Sequence, residues 1–316
     1  MATVGMKVYV LHENPEWYAP LAAAFDRAGL PHEQWLLGDA VLDLAAAPPP
    51  GVFWSRMSAS SHTRGHPFAK DQTRGVLAWL ESRGCQVVNG RRVLDLEMSK
   101  VEQLTALGAA GFDVPRTLAV AGRAELAAAA RRLPVPFIAK HNQGGKGLGV
   151  QLFESHAEFD AALRDSSYEP PVDGITLLQE YLVAAKPRIT RVEIVGGEFM
   201  YAITADTARG GFQLCPADAC AIDAGGLPAA AEPSLFALRS GFSDPVIGRY
   251  LEFAAAHGIG IAGFEFIETA DGRLVTYDIN TTTNYNADIE AVAPRPALPA
   301  VAAYLGGLLE RTPAPV

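Results

Sequence analysis

Glu265, Asp278 and Asn280 offer oxygen ligands in a pattern that suits a hard cation such as Mg²⁺. Two apolar runs, 261–268 and 273–280, flank an Asp-Gly pair that favours a two-residue β-hairpin loop. That loop places Glu265 directly opposite Asp278, and the alternation of side chains along a strand puts Asn280 on the same face. Opposed carboxylates destabilise a sheet unless a cation lies between them. The sequence therefore predicts a metal site here, and an acidic pair that points into solvent is the alternative.

The same register assigns the other face of this hairpin to the protein core. The register of the whole hairpin follows from the pairing of residue 270 with residue 273 across the loop Asp271-Gly272, because each further pair lies one residue along both strands. The side chains on this other face are apolar or aromatic: Phe264, Phe266, Tyr277 and Ile279. We expect all four to be buried behind the acidic face.

A glycine-rich segment follows the apolar run VPFIAK at 135–140. It contains four glycines within six residues: Gly144, Gly145, Gly147 and Gly149. Glycines let backbone N–H groups approach phosphate oxygens closely. The segment lacks the Ser or Thr that follows the lysine of a Walker motif, here Lys146, and it links two strands rather than opening a helix. Lys140 would place an ammonium group beside this loop; a plain flexible hairpin, with Lys140 extended into solvent, is the alternative.

The segment Gln179-Glu180-Tyr181-Leu182 ends an apolar strand at a change of domain. A strand end in this position can offer backbone donors and acceptors to the edge of an adenine ring. We therefore predict that these four residues bind a nucleotide base.

The loop 55–66, SRMSASSHTRGH, follows a strand of the N-terminal unit. Ligands bind α/β sheets beyond the carboxyl ends of the strands, so this loop is well placed for a substrate. Arg56 and Arg64 could hold a carboxylate through their paired donors. We predict substrate contacts from both arginines and from Ser60.

The first ninety residues alternate short apolar runs with segments of helical spacing. The runs 6–11, 51–57 and 86–89 predict strands, and the segments 15–29 and 70–83 predict helices. This alternation is typical of a parallel sheet with packed helices, and it places the unit in the α/β class.

Two further units follow, each with recognisable element boundaries. Capping boxes formed by Ser99 with Glu102 and by Ser155 with Glu158 predict the starts of two helices. We expect three domains: an N-terminal α/β substrate domain at 1–95, a central lobe with the glycine-rich loop at 96–180, and a C-terminal lobe with the metal site at 181–316.

The composition excludes several classes of protein. The 316 residues carry a formal net charge of −9 and show no basic stripe, which argues against a nucleic-acid partner. No run approaches the ~20 apolar residues of a membrane span, and the N-terminal segment becomes polar too early for a secretory signal. Cys85, Cys215 and Cys220 form no paired framework, so we expect ordinary thiols and a cytoplasmic location.

From about residue 95 to 290 the ordered features resemble the ATP-grasp superfamily, and the group of glutathione synthetase and the ribosomal-protein glutamate ligase most of all. The resemblance also extends loosely to the N-terminal domain. It is carried by a lysine that opens a helix, a strand lysine before the glycine loop, a hinge glutamate, a strand arginine and the metal ligands: Lys100, Lys140, Glu180, Arg191, Glu265, Asp278 and Asn280.

This resemblance implies an ATP-grasp fold of α+β lobes, preceded by a Rossmann-like domain. ATP would lie between the lobes, with Lys100, Lys140 and the glycine loop at its phosphates and with one or two Mg²⁺ ions, for which Mn²⁺ can substitute. A small-molecule or peptide carboxylate would form an acyl-phosphate that an amine converts to an amide. Lys140 and Arg191 would be the catalytic residues, Arg191 by stabilising the developing charge.

The chain departs from the family pattern at three places. Ile189 stands where the glutamate ligases have an acidic contact to the ribose. No Arg or Lys lies near 204–206 to meet the γ-phosphate, although Arg209 could substitute. The polar run 281–286 replaces a Ser-x-Pro-Gly pattern, so we expect a different acceptor and include Asn284 among the substrate contacts.

Two other functions stay open at this stage. The same fold supports phosphoryl transfer to a hydroxyl group, and it also supports a non-catalytic protein that uses ATP to regulate association. The sequence leaves open the identity of the acid and the amine, and whether the chain forms a homodimer or a homotetramer.

Overall fold

The computed structural model describes residues 5–38, 40–145, 147, 149–165, 169–210 and 234–313. Three residues with sequence-based predictions, Lys146 of the glycine loop and the thiols Cys215 and Cys220, lie outside the described residues. Cys85 is a half-buried free thiol.

The N-terminal unit is a four-stranded parallel sheet in the order β2-β1-β3-β4. Its elements are β1 (Lys7–His12), α1 (Pro15–Arg27), β2 (His32–Leu36), β3 (Gly51–Ser55), α2 (Ala69–Ser82) and β4 (Gln86–Val88). Alternate residues of β1 face opposite layers: Val8 and Val10 pack with α1, whereas Tyr9 and Leu11 pack with α2. The parallel α/β unit predicted from the alternation is confirmed.

Strand β2 was not predicted from the sequence. It lies at the edge of the sheet and pairs with β1 alone among the described strands, and most of its side chains are partly or fully exposed. An edge strand needs no apolar stripe of its own, so HEQWL carries little of the hydrophobic periodicity that marks buried strands.

The central unit contains a four-stranded antiparallel sheet in the order β5-β8-β6-β7. Its elements are α3 (Arg91–Met98), α4 (Lys100–Ala109), β5 (Thr117–Ala121), α5 (Leu126–Ala130), β6 (Phe137–His141), β7 (Gln151–Phe153), α6 (His156–Arg164) and β8 (Ile175–Glu180). The side chain of Ser99 accepts a hydrogen bond from Glu102 N (3.2 Å), and Ser155 does the same for Glu158 N (3.2 Å). Both predicted helix starts are confirmed.

The C-terminal unit contains a five-stranded antiparallel sheet in the order β11-β10-β9-β12-β13. Its elements are β9 (Arg188–Val195), β10 (Glu198–Asp206), α7 (Thr207–Gly210), β11 (Phe236–Leu238), α8 (Val246–His257), β12 (Ile261–Glu268), β13 (Leu274–Asn280), α9 (Ala287–Val292) and α10 (Ala297–Arg311). No helix in the described parts of the chain is long and apolar enough to cross a membrane.

The loop between β12 and β13 differs from the predicted two-residue turn. Thr269 N donates to Arg273 O (2.9 Å), which leaves a three-residue loop, 270–272. Gly272 has φ +86°, the left-handed conformation that closes three-residue hairpin loops. The longer loop shifts the register near the turn by one residue, so that Glu268 pairs with Leu274.

A β-bulge at Tyr277 restores the predicted register further along the same hairpin. The register shifts between Glu265 and Phe266, and beyond it Glu265 pairs with Asp278 as predicted. The extra residue also breaks the alternation of faces. Tyr277 leaves the core and faces the acidic side, whereas Thr276 is fully buried beside Tyr250. The prediction that Tyr277 belongs to the core is therefore wrong.

The hydrophobic cores cross the boundaries between the three sheets. Val93 and Leu96 of α3 pack with Phe264 of the C-terminal sheet, and Val301 of α10 packs with the N-terminal sheet. The central four-stranded sheet has a core of its own around Phe137. The predicted domain limits near residues 95 and 180 separate the three sheets, but they do not separate the hydrophobic cores. These limits therefore stay a prediction.

Candidate active site

A cavity of about 630 Å³ is lined by residues of all three units, a size typical of small-molecule sites. Most of the candidates among the described residues line it: Ser60, Lys100, Lys140, Gly144, Gly145, Gly147, Gln179, Glu180, Tyr181, Leu182, Arg191, Glu265, Asp278, Asn280 and Asn284. The exceptions are Arg56, Arg64, Gly149 and Arg209. Residues far apart in the sequence are thus brought to one place.

The acidic pair of β12 and β13 lies at the wall of this cavity. Glu265 and Asp278 are directly opposed, and Asn280 Nδ2 donates to Glu265 Oε1 (2.9 Å). The displaced Tyr277 hydroxyl donates to Glu265 Oε2 (2.7 Å), and Lys100 forms an ion pair with Asp278. The predicted juxtaposition of the three oxygen ligands is present.

The electrostatics of Glu265 favour a nearby cation or a bound proton. Burial raises the pKa of Glu265, and repulsion by Asp278 raises it further. Among the described residues no group of three or more His, Cys, Asp or Glu side chains could hold a metal ion. The donor set is instead two carboxylates and one amide, which fits a hard divalent cation whose coordination is completed by water and phosphate oxygens.

Helix α4 positions Lys100 against the acidic pair. The buried amide of Gln103 bonds both backbone groups of one β13 residue, donating to Ile279 O (2.8 Å) and accepting from Ile279 N (2.9 Å). Lys100 is the first residue of the helix and lies one turn before Gln103. Burial acts to lower the pKa of Lys100, but the attraction of Asp278 and Glu97 outweighs it and the pKa is raised.

Lys140, near the end of β6, supplies a second ammonium group to the same cavity. Burial, and then repulsion by Lys100, lowers its pKa to about 8. Two lysines on one wall suit a polyanionic ligand, because such a ligand would relieve their mutual repulsion.

The glycine-rich segment lies between these lysines and the N-terminal unit. A Cβ atom on Gly145 would come 3.4 Å from Ser60 Oγ, so the backbone runs close to the 55–66 loop. Gly147 has φ +71°, a conformation that favours glycine. The base of the segment is held by Asn142, whose side-chain oxygen accepts from Val101 N (2.9 Å) at the start of α4.

The hinge residues border an apolar part of the cavity. Glu180 Oε1 accepts from Arg116 N (2.8 Å), while Gln179 is buried in β8. Apolar side chains from both lobes complete this part: Ile138, Val150, Leu152, Ile189 and Ile267. Ile189, which stands in place of an acidic ribose contact, is thus one wall of an apolar slot.

A basic residue that was not predicted from the sequence lies beside residues 204–206. Arg188, which lines the cavity, pairs with Asp206 across the β9–β10 hairpin, and its side chain is 3.4 Å from Glu268 Oε2. The sequence contained a signal for this pairing, namely the Gly196-Gly197 turn. Residues equally far from that turn lie opposite each other on the two strands, which brings Arg188 close to Asp206. Arg209, the predicted substitute, lies on α7 and is exposed.

Arg191 lies at the centre of a buried network on β9. Its Nε donates to Glu193 Oε1 (2.6 Å), Nη1 lies 3.3 Å from Glu265 Oε1, and Nη2 donates to Thr283 Oγ1. Burial alone would lower the pKa of Arg191, but Glu193 and Glu265 outweigh it and the pKa is raised. A guanidinium held beside the acidic pair can stabilise negative charge that develops there.

Arg56 has partners different from the predicted substrate carboxylate. It is 3% exposed, and its Nη2 donates to Thr283 O (2.7 Å) and to Asn284 Oδ1 (3.0 Å). Burial lowers its pKa to about 10. Arg64 forms an ion pair with the buried Glu13 and donates to Ser60 Oγ (2.9 Å). Both guanidinium groups are engaged within the protein, because the loops around them offer buried acceptors that the sequence did not reveal.

Several cavity residues were not predicted from the sequence, Glu97 above all. This residue of α3 accepts hydrogen bonds at Oε2 from both Thr281 N (2.9 Å) and Thr281 Oγ1 (2.8 Å). Burial raises its pKa. The only feature of the sequence that indicated a functional role for Glu97 was its position three residues before Lys100. An acidic residue on the exposed surface of a helix would give the same pattern. Trp17, Ser58 and Thr282 join it in the cavity wall.

The chain is similar in structure to several solved ATP-grasp proteins, although no protein family model and no curated protein matches it. A RimK domain ATP-grasp protein from Sphaerobacter thermophilus DSM 20745 superposes with a TM-score of 0.65 and 18% identity, over 94% of this chain and 98% of that chain. D-cycloserine synthetase DcsG superposes with a TM-score of 0.66 and 17% identity, over 96% of this chain and 99% of that chain. The ATP-grasp ligase PsnB, complexed with minimal precursor, Mg and ADP, superposes with a TM-score of 0.65 and 15% identity, over 96% of this chain and 98% of that chain.

These likenesses establish the fold. The chain has the α/β ATP-grasp fold over nearly its full length, with an N-terminal parallel sheet and two antiparallel sheets. The resemblance inferred from the ordered motifs is thereby confirmed at the level of fold. A shared fold does not fix the reaction, which must be argued from the site.

Proposed function

We propose that this protein is an ATP- and Mg²⁺-dependent ligase that joins a carboxylate to an amine through an acyl-phosphate. One observation carries the proposal: the opposed pair Glu265 and Asp278 shares a cavity with Lys100, Lys140 and the glycine-rich loop. An acidic pair that could bind a cation, beside two lysines and a glycine-rich loop, suits the binding of a nucleoside triphosphate.

The nucleotide would lie along the cavity from the hinge to the acidic pair. Residues 179–182 would meet the adenine edge, and the apolar side chains around Ile189 and Ile267 would cover its faces, since all of them line the cavity. Lys100, Lys140 and the N–H groups of the glycine loop hold the phosphates. Arg188, which pairs with Asp206 across the β9–β10 hairpin and lines the cavity, would replace the expected γ-phosphate contact.

Glu265, Asp278 and Asn280 would hold one or two Mg²⁺ ions, with Mn²⁺ able to substitute. The bound metal neutralises charge on the phosphates and helps to place them for in-line attack. The PsnB complex contains Mg and ADP in the same fold, which supports this assignment.

The chemistry needs two steps, and residues of this chain serve both. A substrate carboxylate oxygen attacks the γ-phosphorus and the bond to ADP breaks. The amine nitrogen then attacks the acyl carbon, the bond to phosphate breaks, and the amine proton is released. Arg191 would stabilise negative charge at the reaction centre, and the glycine-rich loop, by closing over the site, would exclude water that hydrolyses the acyl-phosphate.

The substrates are a carboxylate and an amine of small-molecule or peptide size. PsnB and the macrocyclase MdnC from Microcystis aeruginosa MRC were solved with precursor peptides, which keeps a peptide carboxylate among the candidates. A cytoplasmic location, and a homodimer or homotetramer, stay expectations of the sequence.

The test is phosphate release from Mg-ATP across a panel of amino acids and dipeptides, followed by mass analysis of the products. The proposal expects ADP, phosphate and a product lighter by one water than the two substrates together. A phosphoester product would instead show transfer to a hydroxyl group. ATP that binds but stays unchanged with every substrate pair would show a non-catalytic protein.

A further inference from the structure

Glu193 is a buried acid that takes no part in the proposed chemical steps. It is 1% exposed, and it lies outside the set of described residues that line the cavity. It follows Arg191 by two residues on β9, so both side chains project from the same face of the strand. A buried carboxylate is costly unless it is paired, so its partners indicate what it does.

Glu193 is the closer of two carboxylates that hold the Arg191 guanidinium. Arg191 Nε donates to Glu193 Oε1 at 2.6 Å, whereas Nη1 lies 3.3 Å from Glu265 Oε1. Burial acts to lower the pKa of Arg191, and the attraction of Glu193, followed by that of Glu265, outweighs it. The charge of Arg191 is therefore balanced first by Glu193.

Thr283 and Gly263 fix the guanidinium beside Glu193. Arg191 Nη2 donates to Thr283 Oγ1, and the same hydroxyl donates to Glu193 Oε2 (3.0 Å). Gly263 pairs with Glu193 on the neighbouring strand β12, and a Cβ atom there would lie 2.9 Å from Arg191 Cζ. The hydroxyl thus joins the arginine to Glu193, and the glycine leaves room for the guanidinium between the two strands.

Glu265 is where the charge of Arg191 matters for the metal site. In the proposed enzyme Glu265 binds Mg²⁺, and the guanidinium competes with that cation for the same carboxylate. Glu265 Oε1 also accepts from Asn280 Nδ2 (2.9 Å), and its contact with Arg191 is the longer of the two. Without a second acid, a buried guanidinium would pair fully with Glu265, because a buried charge needs a counterion.

We propose that Glu193 is the counterion that holds Arg191 back from the metal ligand Glu265 and so keeps Glu265 available to Mg²⁺. Glu193 acts through Arg191 rather than on the metal or the substrate, so it is a positioning residue. This inference rests on the proposed function, in which Glu265 binds Mg²⁺ and Arg191 stabilises negative charge.

The test measures how much Mg²⁺ strengthens nucleotide binding. The dissociation constant of the non-hydrolysable ATP analogue AMPPNP is measured on the full chain in saturating Mg²⁺ and again in a chelator. The ratio of the chelator value to the Mg²⁺ value is the Mg²⁺ gain. In Glu193→Gln this gain should fall by about tenfold, the effect of one hydrogen bond to a charged group, because Arg191 then pairs with Glu265.

Glu198→Gln is the matched control for this substitution. Glu198 also forms an ion pair with an arginine, Arg295, but both side chains are exposed. Exposed ion pairs contribute little, so this variant should keep the wild-type Mg²⁺ gain. A fall of the gain in both variants would show a general effect of removing an acid and would overturn the specific role of Glu193.

A double variant, Arg191→Gln with Glu193→Gln, tests whether Glu193 acts through Arg191. It removes both charges of the pair, so neither partner is left buried without the other. Arg191 no longer competes for Glu265, and the Mg²⁺ gain should return to the wild-type value or exceed it. If Glu193→Gln alone does not fold, the Mg²⁺ gain of the double variant decides.

The outcomes separate this inference from the ligase proposal. Absence of AMPPNP binding to the wild-type chain, or binding that Mg²⁺ does not strengthen, overturns both. A wild-type Mg²⁺ gain that Glu193→Gln leaves unchanged, or that stays low in the double variant, overturns the positioning role alone. A double variant that does not fold would show a structural ion pair, which also overturns that role and leaves the ligase proposal standing.

Discussion

Gly263 of β12 leaves the space that the Arg191 guanidinium occupies on β9. A Cβ atom at Gly263 would lie 2.9 Å from Arg191 Cζ and closer still to Nε, a separation that real Cβ atoms do not show. Arg191 is also held by Glu193 and Glu265, so it cannot move without losing buried ion pairs. The glycine is thus required by the position of the arginine.

We expect Gly263→Ala to displace Arg191 and to destabilise the protein by about 1–3 kcal/mol, the usual cost of overpacking. Thermal or denaturant unfolding measures this change. Gly248→Ala is the matched control, because a Cβ atom there meets nothing within 4 Å on helix α8. That control should be neutral or slightly stabilising. Equal stability of the two variants would show that Arg191 is not fixed as described.

Arg56→Lys tests whether Arg56 positions the segment after β13. The lysine keeps the charge but cannot reach both Thr283 O and Asn284 Oδ1, so a buried acceptor loses its partner. We expect a loss of about 1–3 kcal/mol in the free energy of unfolding. An unchanged stability together with a raised Michaelis constant for the acid or amine would instead support direct substrate binding by Arg56.

Lys140 provides a pH-dependent test. Its pKa in the folded protein is lowered to about 8 from 10.5, so its charged form destabilises the fold. The unfolded chain binds more protons between these values, and stability contributed by this group rises with pH across that window. Lys140→Met should therefore stabilise the ligand-free protein at pH 7, with a gain that shrinks towards pH 10.

The same Lys140→Met variant should bind Mg-ATP about tenfold or more weakly, because a charge-assisted contact is lost. Lys7→Met is the control, since Lys7 lies in an exposed ion pair with Glu33. It should give neither the stability gain nor the loss of ATP binding. A destabilised Lys140→Met with normal ATP affinity would contradict the phosphate role.

Glu265→Gln and Asp278→Asn test the metal site through two readouts. Burial and repulsion by Asp278 raise the pKa of Glu265, so Glu265→Gln should leave the metal-free protein unharmed or slightly stabilised. Asp278→Asn also removes the ion-pair partner of the buried Lys100, so this variant should lose some stability. Turnover and the Mg²⁺-dependent part of ATP binding should collapse. A stable Glu265→Gln variant, together with loss of the Mg²⁺ response in both variants, fits a metal site, whereas a destabilised Glu265→Gln variant that still turns over would show a purely structural role for Glu265.

The final hairpin shows how far sequence reasoning reached and where it stopped. The prediction gave the correct Glu265–Asp278 pair, although the loop is one residue longer than expected, because the bulge at Tyr277 compensates for it. Asp-Gly favours several turn types, and nothing local to the sequence marks a bulge. The face of each acid was therefore predictable, but the Tyr277 hydroxyl on Glu265 was not.

The sequence also did not predict the hydrogen-bond partners of the buried charged residues. Arg56 was placed correctly on a loop after a strand, yet its acceptors lie more than two hundred residues away, at Thr283 and Asn284. Glu97 likewise meets Thr281 only through the packing of α3 against the C-terminal sheet. Periodicity predicts elements and faces, whereas contacts between units depend on how those elements pack.

The most direct test is the melting temperature of the wild-type chain with and without saturating Mg-ATP. A ligand at about a hundred times its dissociation constant stabilises the native state by roughly 2.7 kcal/mol. We expect a clear rise in melting temperature with Mg-ATP, and a much smaller rise when Mg²⁺ is replaced by a chelator. An unchanged melting temperature at saturating Mg-ATP would contradict the assignment of this cavity as a nucleotide site.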